Sequence, residues 1–220
     1  MMDTSLTDIV NGSLDGRRLL THPFYARWQA GALLDGELRG YAEQYRHFER
    51  YLPEFLAVLA GRLESGPARD AVAANLDDET APPSHLELFE LFANAVGARD
   101  AQASPAMAAL LDAYATALDE GADVALAGLV AYECQGAAIA DTKRTGLVEH
   151  YGVGGVGLDF WSVHGTLEDD HATWTLEALE ALDASPAAVE RGVDLVANAW
   201  WDFLSEREDL VAASTVPATS

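Results

Sequence analysis

The stretch FWSVHGTLEDDHATW, residues 160–174, indicates both the fold and the chemistry of this chain. His164, Glu168 and His171 recur in it at offsets of four and then three positions, which places their side chains on one face of a helix. Imidazole nitrogens and a carboxylate oxygen on one face are suitable ligands for iron, manganese or zinc. An acidic surface helix is the alternative, because 36 of the 220 residues are acidic, but the paired histidines favour a metal site.

Helical periodicity continues on both sides of this stretch, whereas alternating runs rich in β-branched and aromatic residues are absent. The pattern therefore predicts an all-α fold of about seven to eight helices. We expect one domain over residues 1–211 and a flexible tail over 212–220, which is small and polar. The longest helices are expected over 35–63, with a possible kink at Pro53, and over 123–150, 158–182 and 186–207.

The charge of the chain limits its partners. Thirteen basic residues against 36 acidic ones give a formal net charge of −23, which argues against binding to nucleic acids or anionic membranes. No basic segment precedes an apolar run at the start, and no stretch is long enough to cross a bilayer, so we expect a cytoplasmic protein.

Cys134 is the single cysteine, which excludes an intrachain disulfide and a thiolate metal cage, and it is expected to be a buried apolar thiol.

Lys143 is the only lysine, the other twelve basic residues being arginines, and this composition is typical of a salt-adapted, halophilic cytosol. At molar salt the Debye length falls to about 3 Å, so repulsion between the acidic groups is screened. We therefore predict that the melting temperature rises by several degrees between dilute buffer and molar KCl. An unchanged melting temperature in a calorimetric or fluorescence scan would contradict the prediction.

Three ligands on one helix rarely complete a redox site, so further ligands are expected from other helices. Glu133 lies in the nearly apolar segment LVAYECQGAAIA, where a buried carboxylate is costly unless a cation binds it. Glu79 and His85 flank a loop in NLDDETAPPSHLELF, where Asp77 or Asp78 are alternatives to Glu79 and a surface acidic loop is the alternative to a metal site.

Four separated motifs, spread over about residues 20–175, together resemble the heme-oxygenase-like diiron oxidase family of the TenA/PqqC-like superfamily. The motifs are HPFYARW at 22–28, NLDDE followed by His85, AYE ending at Glu133, and FWSVHGTLEDDHATW. The similarity is closest to the CADD-type branch, named after the chlamydial protein associating with death domains, whose members are para-aminobenzoate synthases. The resemblance implies a heme-oxygenase-like, TenA-like helical bundle.

The resemblance also implies a site for two metal ions without heme, either two irons or iron with manganese, that uses dioxygen and an external reductant. The implied ligands are Glu79, His85, Glu133, His164, Glu168 and His171. This sequence departs from the CADD-type pattern in two places. CADD-type sequences usually have aspartate where Glu168 stands, and they have one more residue between the equivalents of Glu79 and His85. The shortened loop leaves open whether Asp78 or Glu79 reaches the metal. We also expect a homodimer.

CADD-type members are linked to making para-aminobenzoate for folate biosynthesis from a tyrosine of their own chain, with a lysine as amino donor. The matching residues are Tyr25 and Lys143, and Lys143 lies about 15 Å along the same helix from Glu133. A neutral amine can act as a nucleophile, which an arginine cannot. Tyr25 packed against Trp28, and Lys143 on the solvent side beside Arg144, are the alternatives.

Tyr132 and Tyr41 are expected to relay electrons or line the cavity, with core packing as the alternative. Two other activities fit the same fold. One is a diiron oxidase that decarboxylates or N-oxygenates an external small molecule. The other is a metal-free thiaminase or aminohydrolase with Cys134 as nucleophile, although Cys134 points about 100 degrees away from Glu133 around the helix. A non-catalytic interaction protein is the third class.

Overall fold

The structure is a computed structural model that describes the backbone of residues 5–215 and the side chains of residues 5–165 and 170–210. Within these residues it contains nine α-helices, two 3₁₀ helices and no strand, so the all-α prediction is confirmed and its helix count was slightly low. The α-helices are α1 Leu6–Ser13, α2 Pro23–Gln29, α3 Asp35–Arg62, α4 Pro67–Thr80, α5 His85–Ala95, α6 Pro105–Glu120, α7 Ala122–Glu149, α8 Asp159–Ala181 and α9 Pro186–Thr215.

Several helices begin where side chains satisfy their free N–H groups. Ser84 caps α5 by accepting a hydrogen bond from the backbone of Glu87, whose carboxylate accepts one in return. Ser104 caps α6 by accepting a hydrogen bond from the backbone N–H of Met107, with Pro105 at the first helical position. Because Ser84 is the N-cap, His85 is the first residue of α5.

Two helix boundaries differ from the sequence prediction. Helix α4 continues through Thr80, whereas the sequence predicts a helix end at Leu76, so Glu79 lies in the last turn of α4. Helix α3 agrees with the prediction and continues through Pro53, because the proline removes only one N–H, which would have faced the carbonyl of Glu49. Helix α9 extends to Thr215, so residues 212–215, expected in the tail, continue that helix.

Helix α7 occupies the centre of the fold and is buried around most of its circumference. It packs along α8 and α9, while α4 contacts α8 and α3 contacts α4. Small residues allow the closest approach, because a Cβ atom on Gly192 of α9 would lie 2.2 Å from the carbonyl oxygen of Val124. The central position of α7 directs Glu133 into the interior between α4 and α8. Among the described residues, no helix has both the length and the apolar character that a bilayer span requires.

Candidate metal centre

Glu79, His85 and His164 form a buried cluster contributed by three helices. One potential ligand atom of each lies within 4.8 Å of the others. Oε2 of Glu79 lies 2.9 Å from Nδ1 of His85, yet this nitrogen makes no hydrogen bond. Two ligand atoms directed at a common ion approach one another in this way, whereas a hydrogen-bonded pair aligns the N–H with the oxygen.

The two histidines of α8 lie beside this cluster. The rings of His85 and His164 are 4.4 Å apart between centroids, and those of His85 and His171 are 6.3 Å apart. Nδ1 of His164 lies 2.9 Å from the carbonyl oxygen of Phe160, which can only accept a hydrogen bond. The proton of neutral His164 is therefore on Nδ1, and its Nε2 carries the lone pair that a metal ion requires.

Burial favours the neutral form of the His164 and His171 imidazoles. It lowers the pKa of His164 well below its usual value, and the neighbouring His85 acts in the same direction. Burial also lowers the pKa of His171. Nε2 of His171 makes no hydrogen bond and lies 3.5 Å from Oδ2 of Asp78, which is partly exposed. The structure thus places Glu79 in the cluster with His85, and Asp78 beside His171.

Glu133 lines the same cavity as Glu79, His164 and His171. Its Oε1 accepts a hydrogen bond of 2.7 Å from Nδ2 of Asn75, and its Oε2 accepts one of 2.6 Å from Oγ1 of Thr175. Burial raises the pKa of Glu133 to about 7, although these two hydrogen bonds act in the opposite direction.

Asn75 and Thr175 are positioning residues that the sequence analysis missed. Each lies one helical turn from a predicted ligand, Asn75 before Glu79 on α4 and Thr175 after His171 on α8. Such partners commonly orient a metal-binding carboxylate. The i to i+4 spacing was the signal that could have identified them.

The donor atoms brought together by α4, α5, α7 and α8 fit a redox metal. They are imidazole nitrogens and carboxylate oxygens, which suit iron and manganese, and two of the buried histidine nitrogens make no hydrogen bond. Glu168 lies on α8, but its side chain is outside the described residues. The remaining five residues of the predicted ligand set are all buried here.

Lys143 occupies an aromatic enclosure next to this cluster. Its Nζ lies 4.2 Å from the ring centre of Trp161, 4.5 Å from that of Tyr45, 5.0 Å from that of Tyr41 and 5.6 Å from that of Tyr25. Lys143 is fully buried and Arg144 is partly exposed, so the interpretation of Lys143 as a solvent-facing residue was wrong. Tyr45 and Trp161 were not identified from the sequence, although Tyr45 lies one turn after Tyr41.

Tyrosine side chains connect this enclosure to the cavity. The hydroxyls of Tyr45 and Tyr132 share a hydrogen bond of 2.7 Å, and both residues line the cavity with His164. The rings of Tyr41 and Tyr45 stack with centroids 5.5 Å apart. Tyr25 is 2% exposed, and burial raises the pKa of its phenol. An oxidising centre in the cavity would therefore have phenols along one wall.

Cys134 is exposed, so the expectation of a buried thiol was wrong. It follows Glu133 on α7, and the rotation of about 100 degrees per residue turns it away from the buried face. A thiol in this position does not face the cavity, which removes the sequence feature that suggested a thiaminase.

Comparisons with known proteins agree with this arrangement. The chain matches the model of a family described as iron-containing redox enzymes over residues 39–201. A 4-aminobenzoate synthase from Chlamydia pneumoniae is 29% identical over 211 residues, which cover 92% of this chain and 94% of that protein. A protein of the same name from Nitrosomonas europaea is 32% identical over 215 residues, covering 89% of this chain and 87% of that protein.

A solved structure of a CADD-like protein from Nostoc punctiforme has the same fold. It superposes with a TM-score of 0.76 at 20% identity, covering 93% of this chain and 96% of that one. The fold that the sequence motifs implied is thereby confirmed. The chain belongs to the family of iron-containing redox enzymes.

Proposed function

We propose that this chain is an oxygen-dependent 4-aminobenzoate synthase that consumes its own Tyr25 as ring source and its own Lys143 as amino donor. Relatives in Chlamydia pneumoniae and Nitrosomonas europaea carry that activity in their names. The observation that carries the proposal is the burial of the only lysine of the chain, whose Nζ lies 5.6 Å from the ring centre of Tyr25, beside the candidate metal centre.

The ligand set of the proposed centre comprises Glu79, His85, Glu133, His164, Glu168 and His171, holding two irons or iron with manganese. Bound ions of this kind supply the one-electron steps that reduce dioxygen, with electrons from an external donor. Asn75 and Thr175 hold Glu133 in place by occupying one lone pair on each of its oxygens. Phe160 orients His164 through its backbone carbonyl.

Tyr25 is the residue to be oxidised. Because burial raises the pKa of its phenol, the ring is protonated at neutral pH, and its proton has to leave together with an electron. We propose that the Cα–Cβ bond of the oxidised residue then breaks and that Cβ is oxidised to a carboxylate, with dioxygen as the oxidant and the source of the added oxygen, which releases a one-ring acid. Tyr41, Tyr45 and Tyr132 are proposed to relay electrons between the ring and the cavity, since they form a stacked and hydrogen-bonded series along it.

Lys143 is proposed to supply nitrogen to the ring. Its Nζ forms a bond to the ring carbon that carries the hydroxyl, and the hydroxyl oxygen leaves as water. The Cε–Nζ bond then breaks after a two-electron oxidation at Cε by dioxygen and hydrolysis, which leaves an aldehyde on the chain. Four aromatic rings surround Nζ of Lys143 and exclude water from that side, so the amine is held against the rings rather than solvated. An arginine could not replace it, because a guanidinium stays charged and is a poor nucleophile.

Isotope labelling tests the assignment of Lys143, and it tests whether a tyrosine of the chain itself supplies the ring. Because Lys143 is the only lysine, protein made with ε-¹⁵N-lysine carries the label at that side chain alone. We expect protein labelled with ring-¹³C-tyrosine and ε-¹⁵N-lysine, loaded with iron and exposed to air and a reductant, to release doubly labelled 4-aminobenzoate, at most one molecule per chain. An unlabelled product, or many turnovers with an added substrate, would show that the enzyme oxidises an external molecule instead.

A further inference from the structure

Glu49 is a buried carboxylate outside the predicted ligand set. It lies on α3, is 2% exposed and lines the same cavity as Glu79, Glu133, His164 and His171. Its Oε2 has no hydrogen-bond partner. A carboxylate oxygen that is shielded from water and makes no hydrogen bond costs free energy, so its position needs a partner that binds when the site is loaded.

Glu49 and Glu133 differ in the hydrogen bonds that their carboxylate oxygens accept. Both acids line the cavity, but each oxygen of Glu133 accepts a hydrogen bond, from Asn75 or from Thr175. The oxygens of Glu133 are therefore satisfied without a metal ion, whereas Oε2 of Glu49 is not. Of the two carboxylates, Glu49 has the stronger need of a cation.

The charges around the cavity also favour binding of a cation by Glu49. Glu79, Glu133 and Glu168 would leave one positive charge of two divalent ions uncompensated. Glu49 lies within electrostatic reach of both Glu79 and Lys143. A fourth carboxylate would remove that excess charge from an interior where unpaired charge is expensive.

We propose that Glu49 is a seventh protein ligand of the metal centre, contributed by α3 and binding one ion through Oε2. The inference rests on the proposed two-metal site and extends it to a helix that otherwise supplies no ligand. It also gives a role to the acid on the face of α3 that carries Tyr41 and Tyr45, since Tyr41, Tyr45 and Glu49 follow one another at intervals of one helical turn.

The test is the variant Glu49→Gln, which keeps the shape of the side chain and removes its charge. We expect its affinity for at least one of two Mn²⁺ or Fe²⁺ ions, titrated anaerobically against a competing chelator, to fall at least tenfold. The melting temperature of the metal-free variant should be equal to or higher than that of the metal-free wild type, because an unsatisfied buried carboxylate is lost. The increase in melting temperature on adding Mn²⁺ should be smaller.

Glu54→Gln is the matched control, since Glu54 lies on the same helix and is exposed, and its affinity should not change. Should Glu49→Gln fail to fold, Glu49→Asp keeps the charge but shortens the reach, and the same loss of affinity is expected. Two ions bound with wild-type affinity by the folded variant would overturn this inference alone, and would leave Glu49 as a counter-ion of Lys143. Fewer than two ions bound by the wild type would overturn the two-metal proposal as well.

Discussion

Replacing Tyr25 by Phe is expected to reduce 4-aminobenzoate formation to background while leaving iron binding intact. The substitution removes only the hydroxyl, so the packing of the ring against Phe24 is kept. Without the hydroxyl, no phenolic proton can leave with the electron and the ring cannot be oxidised as proposed. Product measured by mass spectrometry after one exposure to air, together with iron per chain, checks the result.

In the Lys143→Arg variant, 4-aminobenzoate formation should also fall to background, because the guanidinium does not donate nitrogen. Tyr51→Phe is the control for the tyrosine variant, since Tyr51 lies on α3 but is partly exposed and does not line the cavity. Wild-type yields from both Tyr25→Phe and Lys143→Arg would end the self-consuming proposal and leave the family assignment in place.

Replacing Glu133 by Ala is expected to have the second large effect, a drop from two bound irons per chain to one or none. Glu133 lies on the central helix, and Asn75 and Thr175 hold its carboxylate in place, so its loss removes a positioned ligand from the cavity. Removing only an orienting partner, as in Asn75→Ala, should weaken iron binding by about 10–100-fold. Iron per chain after desalting, and oxygen uptake on reduction, measure both effects.

The control for this series is Glu149→Ala, because Glu149 ends the same helix and is exposed. It should retain two irons. The Glu133→Ala variant also leaves two buried donors without an acceptor, at a cost of about 1–3 kcal/mol each, so its melting temperature should be compared in the metal-free state. Retention of two irons by Glu133→Ala would exclude this residue from the centre.

Local sequence patterns predicted the parts of the fold that depend on them. The 3.6-residue periodicity predicted the helical class. The start of α5 is equally a matter of local sequence, because the cap that Ser84 and Glu87 form there is a local interaction. The end of α4 was misplaced, since Leu76 to Thr80 is a stretch whose helical state depends on packing against α8 rather than on its own residues.

The candidate metal centre was predictable where residues share one helix and needed the family resemblance where they do not. His164 and His171 are related by spacing alone, but nothing in the spacing relates Glu79 to Glu133, which α4 and α7 bring together only in three dimensions. Asn75 and Thr175 were missed although each lies one turn from a predicted ligand, because spacing along one helix does not show that a side chain reaches Glu133 on another. Glu49 was missed because only the three-dimensional fold brings α3 to the cavity. Cys134 was misjudged because an apolar surrounding sequence does not say which way a side chain points.

The most direct test of the account is an anomalous-scattering map of crystals of the metal-loaded protein, recorded at the iron and manganese absorption edges. The account predicts two peaks inside the bundle, bounded by His85, Glu133 and His171, with iron in at least one of them. A map without a peak among these side chains, or with a single ion at the surface, would contradict it.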